Sequence, residues 1–366
     1  MLPDAAAVAA AAADDLQNFA NWYSFYRRRS LAAKAAVAKT IVRVEGLSIG
    51  FYSINKKLKQ EALPVKIPMG GGIVADDTLE LLTRLYGLKS SGGTPLREGL
   101  YAVGEYFSGT APSDPNAYIG PSPYQGRDYG GECQRVYAIA MTDGYWTRND
   151  KFSVGDQDDD KISNTLADVA MKFYKNDLRT DLGNNVPSIK CNSPNLAQPL
   201  TISQSHQHMV TFSVSFGVFG SLNPDDYDIC TLKNAGGATP PWPNPSCTSC
   251  PAKIDDLWHA AANTTGTFFS ASDPESLVDS LTAIFQGINA REISGASVAV
   301  SAEKLYSEAV MFEGSYHSKN WTGDIKAYDL KYDATSKSII IDQVPSWSAA
   351  EELNKSSVTW DSRKII

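Results

Sequence analysis

Apolar residues recur along the chain with two different spacings, which predict helices and buried strands. The helical spacing of three to four residues marks segments at 16–41, 77–88, 95–107, 163–178, 254–266 and 274–288. Short continuous apolar runs, typical of strands, lie at 47–54, 136–141, 208–218 and 267–271. Strands that lack polar alternation and are separated by helices are typical of a sheet that is covered on both faces. The pattern therefore predicts an α/β fold with a doubly wound, mostly parallel, Rossmann-like sheet and long loop insertions.

The pattern changes after residue 293. From there the sequence consists of short strand-like runs joined by turns, without a helical period. We predict an α/β domain over residues 1–293 and the beginning of an all-β domain, left incomplete, over residues 294–366.

Composition and charge narrow the class of partner. The 366 residues are 43% apolar, which is ordinary for a globular protein with a buried core. The net charge is -8 and the sequence has no basic stripe, so nucleic acid is not an expected partner. No run of 18 apolar residues occurs, so we expect no membrane-spanning segment. The alanine-rich residues 1–15 lack the positive charge of a signal peptide, so we interpret them as a linker or helix.

The cysteines lie in segments that are predicted to be loops. They are Cys133, Cys191, Cys230, Cys247 and Cys250. The last two form a single C-x-x-C pair, whereas a zinc ribbon needs two such pairs and a thioredoxin-type site needs the pair to open a helix. We therefore predict loop disulfides and an oxidising compartment, with one thiol left free or paired elsewhere.

Two polar sequences flank predicted elements of the sheet. Thr94 follows a glycine pair and enters the helix at 95–107, and Asp143 follows the buried strand at 136–141. Ligands of open parallel sheets bind outside the carboxyl ends of the strands. The hydroxyl and the carboxylate are hard oxygen donors that suit Mg²⁺, Mn²⁺ or Ca²⁺. Each residue also has a simpler interpretation, Thr94 as a helix cap and Asp143 as a turn residue.

These two loops resemble those of von Willebrand factor A domains, whose metal-ion-dependent adhesion site has three parts. The resemblance implies that Thr94 and Asp143 supply two of them. The third part is an Asp-x-Ser-x-Ser sequence after the first strand, and this chain has no match to it. The resemblance therefore implies a domain without its first strand and a partial site for Mg²⁺, Mn²⁺ or Ca²⁺.

Several longer segments narrow the resemblance. Residues 18–37, 163–179, 208–220 and 255–285 are similar to the amino-terminal half of the PilY/PilC proteins, and residues 312–330 resemble the entry into their β-propeller. This family comprises type IV pilus biogenesis factors and tip adhesins. The resemblance implies a non-enzymatic role in pilus assembly and adhesion, with minor pilins and an acidic group of a host-cell or surface ligand as partners. It also implies a location at the pilus tip, the cell surface or the outer membrane, reached through the periplasm, although the chain carries no recognisable signal peptide.

An acidic run offers a second group of candidate ligands. Asp156, Asp158 and Asp160 place carboxylates at alternating positions. An EF-hand loop needs Gly at its sixth and Glu at its twelfth position, where this chain has Lys161 and Ala167. We interpret the run as a solvated acidic loop, with a weak calcium site as the alternative.

Two other functions remain open from the sequence. One is a von Willebrand factor A scaffold or binding protein of the cell envelope that is unrelated to pili. The other is a hydrolase that uses a bound metal to activate water. The sequence contains neither a P-loop nor an H-E-x-x-H motif, so we do not expect an enzyme.

Overall fold

Two regions of different architecture follow one another along the chain. A computed structural model describes residues 13–55, 59–70, 73–89, 91–112, 114–147, 152–191, 198–228, 230, 240–295, 299–300, 310–317, 322–333, 338–341 and 345–355. The helices are α1 (Ala13–Tyr26), α2 (Arg29–Ile41), α3 (Thr78–Gly87), α4 (Leu96–Ser108), α5 (Leu166–Lys175), α6 (Ala252–Asn263), α7 (Pro274–Glu292) and α8 (Ala349–Leu353). The strands are β1 (Leu47–Tyr52), β2 (Lys59–Val65), β3 (Ile67–Gly70), β4 (Ile73–Ala75), β5 (Val136–Thr142), β6 (Ile189–Cys191), β7 (Leu200–Ile202), β8 (Met209–Phe216), β9 (Phe268–Ala271), β10 (Ile293–Gly295), β11 (Ala299–Val300), β12 (Val310–His317), β13 (Thr322–Asp333), β14 (Ser338–Ile341) and β15 (Trp347–Ser348). Most of the helices lie before Ile293, and strands predominate after it.

The centre of the first region is a parallel sheet with the strand order β5-β8-β9. β5 and β8 pair in register from Val136 opposite Met209 to Thr142 opposite Ser215. Every residue of β8 is buried, as expected for a central strand that is covered on both faces. The strands expected at 136–141, 208–218 and 267–271 are thus present, and their parallel pairing agrees with the prediction.

Helices cover both faces of this sheet. One face packs against α4, α5 and α6, in a cluster that includes Leu96, Leu100, Ala138, Ala140, Leu166, Val169, Phe173, Met209, Leu257 and Ala260. The other face packs against α2 and α7, in a cluster that includes Ala32, Ala36, Val210, Phe212, Val214, Leu277, Leu281 and Ile284. Ile139 and Met141 pack against this second cluster, so alternate residues of β5 face opposite helix layers.

A cavity of about 610 Å³ runs beside β5. Within the described residues β5 pairs with β8 alone, so its other edge has no strand beside it. Leu96 and Leu100 of α4 line the cavity from one helix layer, and Leu281 and Phe285 of α7 line it from the other. Both helix layers thus extend beyond the edge of β5 and enclose an apolar space next to it.

Antiparallel pairs lie outside the parallel sheet. β1 pairs with β2, β3 with β4, and β6 with β7. The strand expected at 47–54 is therefore present as β1, but it belongs to a hairpin and not to the parallel sheet. β2, β3, β4, β6 and β7 were not predicted from the sequence.

The helix expected over residues 16–41 is divided. α1 ends at Tyr26 and α2 begins at Arg29, because Arg28 has an extended backbone with φ -131° and ψ 142°. The Arg27 guanidinium donates hydrogen bonds to the carbonyls of Tyr23 and Ser24 in the last turn of α1, and the Arg27 amide also donates to the Tyr23 carbonyl at 3.3 Å. The expected single helix was wrong at this point. The alanine-rich residues 1–12 lie outside the described part of the chain.

The second region is antiparallel. β10, β12, β13 and β14 are neighbours in that order, and β11 and β15 pair with β12 and β13. The assignment of residues 1–293 to a von Willebrand factor A domain and of 294–366 to the beginning of a β-propeller stays a prediction. In the part of the chain that the structure covers, no helix combines the length and apolar character needed to cross a bilayer.

We predict that Gly266→Ala destabilises the protein. A Cβ at Gly266 would lie 1.9 Å from the Thr211 carbonyl oxygen of β8, and the backbone of a fully buried strand cannot move away cheaply. The expected loss in the free energy of unfolding is about 1–3 kcal/mol, measured by urea denaturation. The matched control is Gly287→Ala in α7, where a Cβ meets no atom within 4 Å. It should leave stability unchanged or raise it by up to about 1 kcal/mol, and equal losses in both variants would contradict the packing argument.

We also predict that His208 contributes to the acid sensitivity of the fold. Burial lowers the pKa of His208 to about 4, while its Nδ1 lies 2.7 Å from the His206 carbonyl oxygen. Below pH 6.5 the unfolded chain takes up a proton that the folded chain refuses until about pH 4. This contribution to stability is therefore complete above pH 6.5 and is lost progressively as the pH falls from 6.5 to about 4. His208→Asn should show a smaller loss of unfolding free energy between pH 6.5 and 4 than the parent, by about 3 kcal/mol at most, and His206→Asn serves as the neighbouring control.

Candidate functional site

The carboxyl end of β5 carries the first predicted site residue. Thr142, the last residue of β5, is buried, and its hydroxyl donates to the Gly144 carbonyl at 2.8 Å. The same hydroxyl oxygen accepts the Gly144 amide at 3.2 Å. These bonds fix a tight turn around Asp143, whose side chain is exposed. The sequence prediction that Asp143 follows the strand directly is confirmed, and the turn leaves its carboxylate open to solvent.

The loop that contains Thr94 lies next to this turn. The Thr94 carbonyl accepts a hydrogen bond from the Thr147 amide at 2.8 Å and another from the Leu96 amide at 2.9 Å. Thr94 is half-buried, and α4 begins after Pro95 without a side-chain cap. The alternative that Thr94 caps this helix is therefore wrong. The structure brings the loops of Thr94 and Asp143 together. The contact is made by Thr147, which lies four residues after Asp143 in the chain.

Two basic side chains hold this edge of the sheet. Arg29 Nη1 donates to the Asp143 carbonyl at 2.9 Å, and its guanidinium lies beside Gly217, which directly follows β8. Lys253 is buried and donates to the Trp146 carbonyl at 2.6 Å, with its ammonium 4.7 Å from the centre of the Trp146 ring. The loop after β5 is thus anchored at both of its ends, and Arg29 joins it to the end of β8.

This edge, which we call the rim, consists of the loops 91–95 and 143–147. The rim offers a hydroxyl from Thr94 and an exposed carboxylate from Asp143, both hard donors that suit Mg²⁺, Mn²⁺ or Ca²⁺. Two such groups fall short of the six or more oxygens that these ions take. The structure shows no further acidic side chain bonded to the rim within the described residues, so the metal assignment stays a prediction.

The acidic run 156–160 differs from the solvated loop that its composition indicates. The Asp158 side chain is only 5% exposed and the Asp160 side chain 17%. Asp158 Oδ2 accepts a hydrogen bond from Asn263 at 2.5 Å and lies 3.2 Å from His259 Nε2. Burial, together with the nearby Asp160 and Asp168 carboxylates, raises the pKa of Asp158 to about 6. The interpretation as a solvated loop was therefore wrong for Asp158.

The residues that surround this run were not predicted from the sequence. Asp168 is fully buried and forms a capping box with Thr165 at the start of α5, and His259 and Asn263 lie one turn apart on α6. The sequence Thr-x-x-Asp predicts a helix cap, which is correct but incomplete. Nothing in the local sequence around His259 or Asn263 indicates contact with residues about a hundred positions earlier.

The cysteines form two disulfides. Cys191 pairs with Cys230, Cys247 pairs with Cys250, and Cys133 is a free thiol. Cys247 and Cys250 lie in a loop directly before α6, as predicted, whereas Cys191 is the last residue of the short strand β6. The odd number of cysteines leaves one thiol unpaired within this chain, as the sequence analysis allowed.

A nucleophile-elbow spacing occurs in the chain but in the wrong context. Residues 46–50 read Gly-Leu-Ser-Ile-Gly, which matches G-x-S-x-G. An α/β-hydrolase places this serine on a sharp turn between a strand and a helix. Here Ser48 lies inside β1, opposite Pro64 of β2. The motif therefore gives no support to a hydrolase.

The disulfide pattern predicts a specific labelling result. Without reductant, the unfolded chain should take up a single iodoacetamide group, on Cys133, because the other four cysteines are paired. After reduction it should take up five. Peptide mass spectrometry would identify the linked peptides, and a link that involves Cys133 would contradict the pairing.

Comparison with known proteins gives one consistent result. The chain is 30% identical over 402 aligned positions, 96% of its length, to the type IV pilus biogenesis factor PilY1 of Pseudomonas aeruginosa strain PAK. It is 30% identical to the protein of the same name from strain PAO1 and 28% identical to that from strain UCBPP-PA14. The chain spans about a third of the length of these relatives. No family model matches the chain, and no solved structure matches it either.

Proposed function

Because the chain belongs to the PilY/PilC family of type IV pilus biogenesis factors, we propose that it is a non-enzymatic binding module of the pilus tip. Its role is to support pilus assembly and to attach the pilus to a surface. The observation that carries the proposal is the 2.8 Å hydrogen bond between the Thr147 amide and the Thr94 carbonyl, which joins the two loops of the rim.

The rim is the binding surface in this proposal. The Thr94 hydroxyl and the Asp143 carboxylate would hold a divalent cation there, and the cation would attract an acidic group of a ligand. The exposure of Asp143 supports this role, because a carboxylate at a free edge is accessible to an incoming partner. Arg29, which lies between the ends of β5 and β8, adds a positive charge that favours an acidic ligand.

The cavity beside β5 supports a von Willebrand factor A architecture for the first region. We propose that a further parallel strand occupies this space and pairs with the open edge of β5. Its apolar lining from both α4 and α7 fits a strand that is buried on both faces. A strand in this position, if it ends in Asp-x-Ser-x-Ser, brings the missing ligands to the rim beside Asp143.

The proposed location is the cell surface at the pilus tip, reached through the periplasm. The two disulfides support exposure to an oxidising compartment. The proposed partners are minor pilins at the tip and an acidic group on a host cell or other surface.

We predict that Asp143→Ala weakens attachment more than pilus assembly. In a strain that lacks the gene, the full-length parent and the variant are expressed separately, and surface pilin in sheared fractions and cell attachment are measured. Loss of the gene should reduce surface pilin. Expression of the Asp143→Ala variant in this strain should restore surface pilin but leave cell attachment low, because the substitution removes a cation ligand without disturbing the core.

The matched control is Asp128→Ala. Asp128 is exposed on the turn that leads into the other end of β5, so this variant should behave like the parent in both assays. For the purified full-length protein, calorimetry with Mg²⁺ should show affinity lowered by more than about tenfold in Asp143→Ala, since even outer partners of a metal contribute that much. Unchanged pilin in the strain without the gene would contradict the pilus role, and unchanged attachment in Asp143→Ala would contradict the rim.

A further inference from the structure

A group of carboxylates that do not belong to the rim lies at the start of α5. The loop before α5 folds back over the outer side of α5 and α6, where Lys175 Nζ donates to the Gln157 carbonyl at 2.7 Å. Asp156, Asp158 and Asp168 each offer a carboxylate oxygen there, and these oxygens all lie within 4.8 Å of one another. We call Asp156, Asp158 and Asp168 the acidic triad. It joins the loop to the first turn of α5.

Two oxygens of the acidic triad lack hydrogen-bond donors. Asp158 Oδ1 and Asp156 Oδ1 are buried and have no hydrogen-bond partner among the described residues. The Asp158 side chain as a whole is only 5% exposed. Burying a carboxylate without a compensating donor or cation is costly. Besides His259, whose Nε2 lies 3.2 Å from Asp158 Oδ2, the charged groups that act on Asp158 are Asp160 and Asp168, which are also acidic. The unsatisfied oxygens therefore point to a cation that completes the site.

The remaining triad member is held in a fixed orientation. Asp168 Oδ2 accepts hydrogen bonds from the Thr165 amide and hydroxyl, both at 2.8 Å, and Asp168 Oδ1 accepts from the Gln157 amide at 2.5 Å. Asp168 is thus preorganised by the start of α5 and by the loop itself. A ligand set that is already fixed loses little conformational entropy when the ion binds.

We propose that the acidic triad binds Ca²⁺. All three ligands are carboxylates, which are the hard donors that Ca²⁺ prefers, and oxygens that share one Ca²⁺ are at most about 5 Å apart. The observed separation within 4.8 Å meets this limit. Backbone carbonyls and water supply the other oxygens of its coordination. The bound ion fastens the loop to α5 and removes the repulsion among the buried carboxylates.

A neighbouring set of three side chains would favour a different metal ion. Asp158, Asp160 and His259 also offer ligand atoms within 4.8 Å of one another, and a histidine favours Zn²⁺ or Mn²⁺. However, Asp158 Oδ2, the oxygen that faces His259, already accepts from Asn263. The His259 ring stacks on Trp242 with centroids 4.1 Å apart. The unsatisfied oxygens belong to Asp156 and Asp158, so the structure favours the triad of carboxylates.

The test is thermal unfolding of the purified, chelator-treated protein with added CaCl2, MgCl2 or ZnCl2. The parent should gain about 5 °C or more in Tm at a Ca²⁺ concentration a hundredfold above Kd. Asp158→Asn should lose this gain. Without calcium, Asp158→Asn should be at least as stable as the parent, because it removes a buried charge, so the variant is expected to fold.

The matched control is Asp159→Asn. Asp159 is the exposed neighbour with φ 63°, a conformation that asparagine also tolerates, so this variant should keep the calcium response. The proposal is overturned if the parent does not respond to Ca²⁺, or if Asp158→Asn and Asp159→Asn respond alike. It is also overturned if Zn²⁺ stabilises the parent and His259→Gln removes that effect.

Discussion

The parallel pairing of β5 with β8 is the constraint on which the candidate sites depend. β8 is buried along its whole length, so its backbone donors and acceptors need partners within the sheet, and β5 and β9 supply them. The same pairing ends both strands at one edge, because Thr142 lies opposite Ser215. Arg29 then contacts the residues that follow each strand. The residues that follow β5 and β8 lie at one edge because the two strands end in register.

Periodicity predicted the elements that are amphipathic or continuously apolar. The helix expected at 77–88 is observed at Thr78–Gly87, and the strand expected at 136–141 at Val136–Thr142. In these elements the pattern of apolar residues in the segment itself indicates which positions are buried. The break between α1 and α2 was missed, because the helical spacing of apolar residues continues across Arg28, where the backbone is extended. The hairpin of β1 and β2 was missed because its pairing joins two segments whose sequence shows no clear alternation.

The two candidate sites differ in how far the sequence predicts them. Asp143 was identified because it directly follows a buried strand, and topology brings such positions to one edge. The burial of Asp158 was not predictable in this way. Its environment is formed by His259 and Asn263, which lie about a hundred residues later on α6. A sequence shows where charges are, whereas their removal from water depends on which distant element covers them.

The Cys191–Cys230 bridge has a mechanical consequence. The two cysteines are 39 positions apart, and the ring that they close contains all of β8. Tension applied to the chain on either side of the ring passes through the sulfur–sulfur bond and bypasses the enclosed polypeptide. The enclosed segment, which has a contour length of about 130 Å, therefore cannot extend under tension. The central strand can be sheared from its neighbours by a pulling force, but it cannot be drawn out into a straight tether while the bridge remains intact.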